Sequence, residues 1–162
     1  MSALIKTLIF TLLAPGSLVV WIPLYLVYRG PEFELGAARA LGLLPMLLGA
    51  AIYLRCAWDF VWTGRGTPAL IDPPKTLVAT GLYRWTRNPM YVGMLLLLAG
   101  EAVFFESLAI LKYALLVALA FHLWVVFYEE PALRKKFGPA YEQYRRQVRR
   151  WLPQPPGKGA GG

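Results

Sequence analysis

Long apolar runs alternate along this chain with short polar islands, and each run is long enough to read as a helix. Leu4 to Tyr28 holds no charge between Lys6 and Arg29. About 20 apolar residues cross a bilayer's hydrocarbon core, so this run predicts a first span. Pro15-Gly16-Ser17 interrupts it, and a kink is expected where Pro15 removes a backbone donor. A polar turn (Arg29, Gly30, Pro31, Glu32, Glu34) leads into a second run, about Leu35 to Trp62, whose Trp58 and Trp62 suit an aromatic belt. Asn88 then reads as a helix N-cap and Pro89 as the first helical residue. The helix they open is predicted to reach about Phe105, followed by a tight turn at Glu106-Ser107 and a fourth helix from Leu108 to Glu130. The third helix is short for a full span, which predicts a hairpin, tilted or re-entrant.

After Pro131 the period changes. Leu133, Phe137, Tyr141, Tyr144, Val148 and Trp151 recur at steps of three or four, opposite a face of arginines and lysines. Gly138-Pro139 should split this stripe into two amphipathic pieces lying at the membrane interface. The PQPPGKGAGG tail from Pro153 is too poor in apolar residues to fold and is expected to be disordered. The predicted class is therefore all-α integral membrane, with about four transmembrane helices and C-terminal amphipathic interfacial helices.

Composition strengthens that reading. The chain is 57% hydrophobic and 16% charged, too apolar for an ordinary soluble domain. A formal charge of +8 raises nucleic acid as a partner, but most of the excess lies beside apolar runs, where an anionic leaflet is the better partner and nucleic acid is not expected. The single cysteine, Cys56, excludes an internal disulfide, and no metal site is expected. Lys6 before an apolar run resembles a signal peptide, yet no A-x-A-like site follows, which predicts an uncleaved span. With four spans, Lys6, Arg65, Lys75, Arg84, Arg87 and the basic residues after Glu130 fall on one side, so both termini are expected to be cytoplasmic. Arg29, Arg39 and Lys112 fall on the other, offset by Glu32, Glu34, Glu101 and Glu106.

Two islands carry the candidate chemistry: TGLYRWTRNPMYVG from Thr80, and YEEPALRKKFGPAYEQYRRQVRRW from Tyr128. Basic and aromatic residues beside a span can serve as topology signals and interfacial anchors. Glu129-Glu130 fit that role poorly, because adjacent carboxylates at the end of an apolar helix are costly and face the negative end of its dipole. Pro131 also frees the Phe127 carbonyl, so this end favours a cation or hydroxyl donors. The helix start at Asn88-Pro89, helped by Arg87, favours an anion. A ligand with a carboxylate, a cationic centre and a ribose would suit both.

Together the islands resemble the isoprenylcysteine carboxyl methyltransferase and phospholipid methyltransferase superfamily, integral membrane enzymes that use S-adenosylmethionine. The resemblance rests on Gly81, Tyr83, Arg87, Asn88, Pro89, Tyr91 and Gly93, then Glu129, Glu130, Leu133, Phe137, Gly138, Tyr141, Tyr144, Arg150, Trp151 and Pro153. The stretch before Gly81 is similar to bacterial members, which implies a bacterial inner membrane. The resemblance covers residues 64–153 and makes that stretch the catalytic part of a single domain, 1–153, with 154–162 as its tail. It implies S-adenosyl-L-methionine in a cytoplasm-facing pocket under the C-terminal helices, and a tunnel for a lipophilic or lipid acceptor. Asn88 stands where eukaryotic prenylcysteine enzymes usually have His, which weakens transfer of the prenylcysteine substrate more than transfer of the cofactor.

The candidate cofactor-binding residues are Gly81, Tyr83, Arg87, Asn88, Pro89, Tyr91, Glu129, Glu130, Tyr141 and Arg150. Arg87 and the N–H groups after Asn88 would take the methionyl carboxylate. Glu129 and Glu130 would take the amino group or the ribose hydroxyls, the alternative being an ion pair with Arg84 or Arg150. Tyr83, Tyr91 and Tyr141 would line the adenine or sulfonium, or serve as interfacial packing. Glu130, Arg55 and His122 are the candidate catalytic residues. His122 lies two turns before Glu129 on the same α-helical face, and Arg55 either holds an anionic acceptor group or pairs with Asp59. Competing readings are a reductase-like protein using NADPH and a small non-enzymatic membrane protein. Acceptor identity, carboxylate or amine, and oligomeric state stay open at this stage.

Overall fold

The computed structural model describes residues 13, 15–28, 30, 32–59 and 77–155. The start of the expected first span, Trp62, much of the expected cytoplasmic segment before Thr80, and most of the expected disordered tail lie outside the described residues. Among those described, every regular element is helical.

Helix α1 (Ser17–Val27) opens on a π turn, Ser17–Trp21, directly after the Pro15-Gly16 interruption. Helix α2 (Gly36–Asp59) begins as a 3-10 helix to Gly42 and continues as α-helix from Leu43. A short 3-10 turn, Gly81–Arg84, precedes α3 (Pro89–Phe104). Helix α4 runs unbroken from Leu108 to Phe137, and α5 covers Pro139–Gln147. Helices α2, of 24 residues, and α4, of 30, are long and apolar enough to cross a membrane. The described part of α1, and α3 with its 16 residues, are shorter apolar helices.

Helix α4 corrects one expectation. It does not end at Glu130, because a π turn over Val125–Glu129 absorbs Pro131. A proline has no N–H for the carbonyl four residues back and would crowd it. The wider turn sends the Glu130 N–H to the Val125 carbonyl instead, and the helix passes through. It also disturbs the α-helical register on which the shared face of His122 and Glu129 was based, since π residues advance more slowly around the axis.

The stop and restart expected at Gly138-Pro139 is present. Gly138 takes a φ of 52°, a left-handed conformation natural to glycine, and Pro139 starts α5. Helix α5 does not continue to Trp151 as the apolar stripe suggested. Val148 is extended, and residues 148–155 form a strap.

Helices α2 and α3 run antiparallel at close range. A Cβ on Gly42 would come within 2.5 Å of the Gly100 carbonyl oxygen, and one on Gly49 would meet the Gly93 carbonyl oxygen. Such small-residue contacts let helix backbones approach in lipid, where hydrophobic exclusion does not drive helices together. Met90, Met94 and Leu98 of α3 are buried against Tyr53 and Cys56 of α2 and Ala114 and Val117 of α4. Leu44, Leu47 and Leu54 on α2 and Leu115, Leu116 and Leu119 on α4 point outward, as helices facing hydrocarbon do.

At the far end of the α3–α4 hairpin, Glu106 adopts a φ of 53° in the connecting turn. Its Oε1 accepts from the backbone N–H groups of Leu35 at 2.6 Å and Gly36 at 3.2 Å, capping α2. Glu32 caps α4 in return, accepting from Ala109 N–H at 2.7 Å beside the Ser107 cap on Ile110.

Candidate active site

The two islands meet through the strap that follows α5. The Arg87 N–H donates to the Arg149 carbonyl at 2.8 Å and the Gln154 N–H to the Trp85 carbonyl at 2.9 Å. The Thr86 hydroxyl and the Asn88 amide each donate to the Arg150 carbonyl at 3.0 Å. Tyr144 closes the set, its hydroxyl donating to the Tyr83 carbonyl at 2.7 Å. Each bond contributes about 1 kcal/mol net, enough together to hold an extended segment against the start of α3. Asn88 does precede α3, but its side chain makes no cap bond. The amide is committed to the strap, so the N-terminal N–H groups of α3 lack a side-chain cap.

Beneath the strap lies a charge cluster built from three elements. Glu130, on the turn after the π segment, is 5% exposed. Arg150 from the strap grips it with Nε on Oε1 at 2.7 Å and Nη2 on Oε2 at 3.1 Å. Arg87, at the entry to α3, places Nη2 3.1 Å from the same Oε1. Two guanidiniums on one carboxylate leave one net positive charge in a largely buried place. Among the described residues, Arg87 Nε and Nη1 are buried without a hydrogen-bond partner. The Glu130 hydrogen bond holds the Arg150 guanidinium still more firmly protonated than usual.

Tyrosines surround the cluster. Tyr141 is 2% exposed, and burial first, then the Glu130 charge, pushes its phenol up. Burial likewise raises Tyr144. Tyr83 is raised by burial first, then by Cys56 and Glu129, and it packs in the core with Cys56 of α2. Glu129 turns away from the arginines and accepts from the Tyr91 hydroxyl at 2.9 Å, while the Tyr91 ring packs on Phe121 with centroids 4.6 Å apart. Adjacent carboxylates thus reach different surroundings.

His122 is not in the cluster. Its Nδ1 accepts from the Trp151 indole N–H at 3.2 Å. Both residues line a mainly apolar groove of about 470 Å³ whose other walls include Val92, Leu95, Ala118 and Leu152. Arg55 is also elsewhere. It pairs with Asp59 at 3.3 Å, with its side chain 59% exposed. Gly81 lies against Asp59, with a φ of +57°.

The structure therefore gathers Tyr83, Arg87, Asn88, Glu130, Tyr141 and Arg150, sets Tyr91 with Glu129, puts His122 with Trp151 in the groove, and pairs Arg55 with Asp59 apart from the cluster. Thr86, Tyr144 and Trp151 join the site although none stood among the candidate site residues. The one available signal for Thr86 was its place inside the polar run. Tyr144 and Trp151 stood in the amphipathic stripe and among the residues that carry the family resemblance, and neither signal gave them a role.

The family model of phospholipid methyltransferases matches residues 37–140, more than half of the chain. The match takes in Arg87, Asn88, Glu129 and Glu130 and stops before Arg150 and the strap. Comparison with curated proteins gives no match.

Proposed function

The chain belongs to the phospholipid methyltransferase family, and from that premise of a membrane methyltransferase we propose that it transfers a methyl group from S-adenosylmethionine to a lipophilic acceptor, a carboxylate or an amine, at the cytoplasmic membrane face. The observation that carries this reading is Arg87, whose side chain is 8% exposed with two guanidinium nitrogens buried and, among the described residues, unpartnered. Nε and Nη1 lie on different edges of the guanidinium, so each offers a charge-assisted N–H to an anion, and the methionyl end of the donor carries such an anion, a carboxylate. The neighbouring uncapped start of α3 adds the positive end of a helix dipole.

In this reading Arg87 binds the carboxylate, with Asn88 and Pro89 forming the helix start beside it. Glu130 is a positioning residue. Its carboxylate is committed to Arg87 and Arg150, which makes it a poor proton acceptor and a good clamp. Glu129, held by Tyr91, takes the ribose hydroxyls or the amino group. Tyr83, Tyr91 and Tyr141 line the aromatic side, and Gly81 gives the turn carrying Tyr83 its shape. When bound, S-adenosylmethionine supplies an electrophilic methyl on a sulfonium. The apolar groove receives the acceptor's chain, and Trp151 and Leu152 exclude water from it, so that alignment and desolvation contribute most of the acceleration. His122 accepts the Trp151 N–H on Nδ1, which fixes the ring beside the groove. Arg55 is assigned no catalytic part.

The same reading makes residues 1–153 one four-span domain with both termini cytoplasmic, and lays the basic faces of the end of α4 and α5 on an anionic bacterial inner leaflet.

Thermal unfolding of the detergent-purified chain tests the proposal. S-adenosylhomocysteine at 100 times its Kd should stabilise by about 2.7 kcal/mol, NADPH should not, and Arg87→Gln should abolish the shift at the same concentration. Absence of any shift by either adenosyl compound on folded wild type rejects the reading. A radiolabelled methyl assay on total lipid extract then identifies the acceptor.

A further inference from the structure

Asp59, the last described residue of α2, has no part in the chemistry above. Its side chain is 8% exposed, and Oδ1 lies 3.3 Å from the largely solvent-exposed Arg55 guanidinium. Oδ2 is buried and, among the described residues, has no hydrogen-bond partner. A buried carboxylate oxygen without a donor is unfavourable, and native proteins seldom keep one without a use. The oxygen is also aimed. It points at Gly81, where a Cβ would collide with it, so the absence of a side chain at Gly81 lets the 3-10 turn Gly81–Arg84 lie directly against the carboxylate. That turn carries Tyr83, which is buried in one cluster with Cys56, one turn before Asp59. Asp59 thus lies against the turn whose Tyr83 carbonyl accepts from Tyr144.

We infer that Asp59 Oδ2 receives an ammonium group, which makes Asp59 a cation-binding residue at the edge of the methyl-transfer site. An ammonium is a compact charge with three donors, and it satisfies both the unpartnered lone pair and the charge that an exposed arginine neutralises only in part. A metal ion is a poor alternative, since no group of three or more metal-ligating side chains exists among the described residues. The ammonium has two possible sources, the amino group of the methyl donor and the head group of an amine lipid. The inference rests on the methyltransferase reading.

The full chain in detergent micelles separates these cases, with three probes: S-adenosylhomocysteine, its 2-oxo analogue lacking the amino group, and phosphatidylethanolamine in mixed micelles. If the donor supplies the ammonium, Asp59→Asn weakens S-adenosylhomocysteine about tenfold and leaves the 2-oxo analogue unchanged. If the lipid supplies it, Asp59→Asn leaves both nucleosides unchanged and raises the KM for phosphatidylethanolamine about tenfold at constant kcat. Arg55→Gln, at an exposed position, should move the same quantity about threefold in the opposite direction, because it leaves the Asp59 charge wholly available. It decides the matter should Asp59→Asn not fold. Wild-type binding and turnover with both variants within twofold of wild type overturns the inference. A wild type that binds no adenosyl ligand overturns the parent reading, and this inference with it.

Discussion

The two ends of the α3–α4 hairpin both bury a glutamate, and they satisfy it in different ways. At the turn end, Glu106 accepts from two backbone N–H groups of α2, and Glu32 reciprocates on α4. At the other end, Glu130 is held by Arg87 and Arg150, side chains from two further elements. Backbone donors at a helix start have no other partner to seek, so the Glu106 cap locks two helices together and does nothing else. The φ of 53° at Glu106, costing about 1–2 kcal/mol for a non-glycine residue, is tolerated because the carboxylate is anchored this way. Guanidiniums have several donors each, and at Glu130 some of those donors remain unpartnered. One end is closed chemistry, and at the other Arg87 keeps donors that no described residue takes up.

That comparison breaks or sharpens by mutation. The largest effect is expected from Glu130→Gln, which leaves two guanidiniums uncompensated and should cost about 3 kcal/mol of stability, since removing one partner of a buried pair strands the other. S-adenosylhomocysteine affinity should fall about 100-fold with it, because Arg87 loses its anchor. Equal ligand affinity in Glu130→Gln and wild type would remove the distinction drawn between the two ends. Glu106→Ala should cost about 1–2 kcal/mol by chemical or thermal denaturation, the range of a lost helix cap, while methyl transfer by the folded fraction stays at wild-type rate. A lost activity at unchanged stability would make the turn end functional after all. Glu32→Ala, at an exposed position, should cost the least, about 0.5–1 kcal/mol, again without effect on turnover.

The difference between the ends was hard to see in the sequence. Glu32 and Glu106 read there as charges offsetting Arg29, Arg39 and Lys112. Their partners are backbone groups 70 to 77 residues away, and a backbone N–H leaves no mark on a residue pattern. Glu129-Glu130 were legible because two carboxylates beside Pro131 at the end of an apolar helix violate local rules. Their division of labour was not, since it depends on the π turn. That turn directs Glu130 to the arginines and leaves Glu129 to Tyr91. His122 shows the reverse failure: α-helical spacing put it with Glu129, and the structure gives it Trp151 instead. Gly42, Gly49, Gly93 and Gly100, spaced seven apart within each helix, offered an unused signal for the α2–α3 contact.

Apolar periodicity alone determined that this chain is helical and suited to lipid, because run length and charge spacing are local quantities that a bilayer reads directly. Local chemistry likewise determined the start of α3 at Pro89 and the break at Gly138-Pro139, where proline and glycine constrain their own backbone. Tertiary structure decided what the polar islands do. Whether Arg150 holds Glu130 or faces the membrane depends on where α5 stops and the strap turns back to residues 83–88. That path is held by hydrogen bonds between residues about 60 positions apart, and no stripe or spacing encodes it.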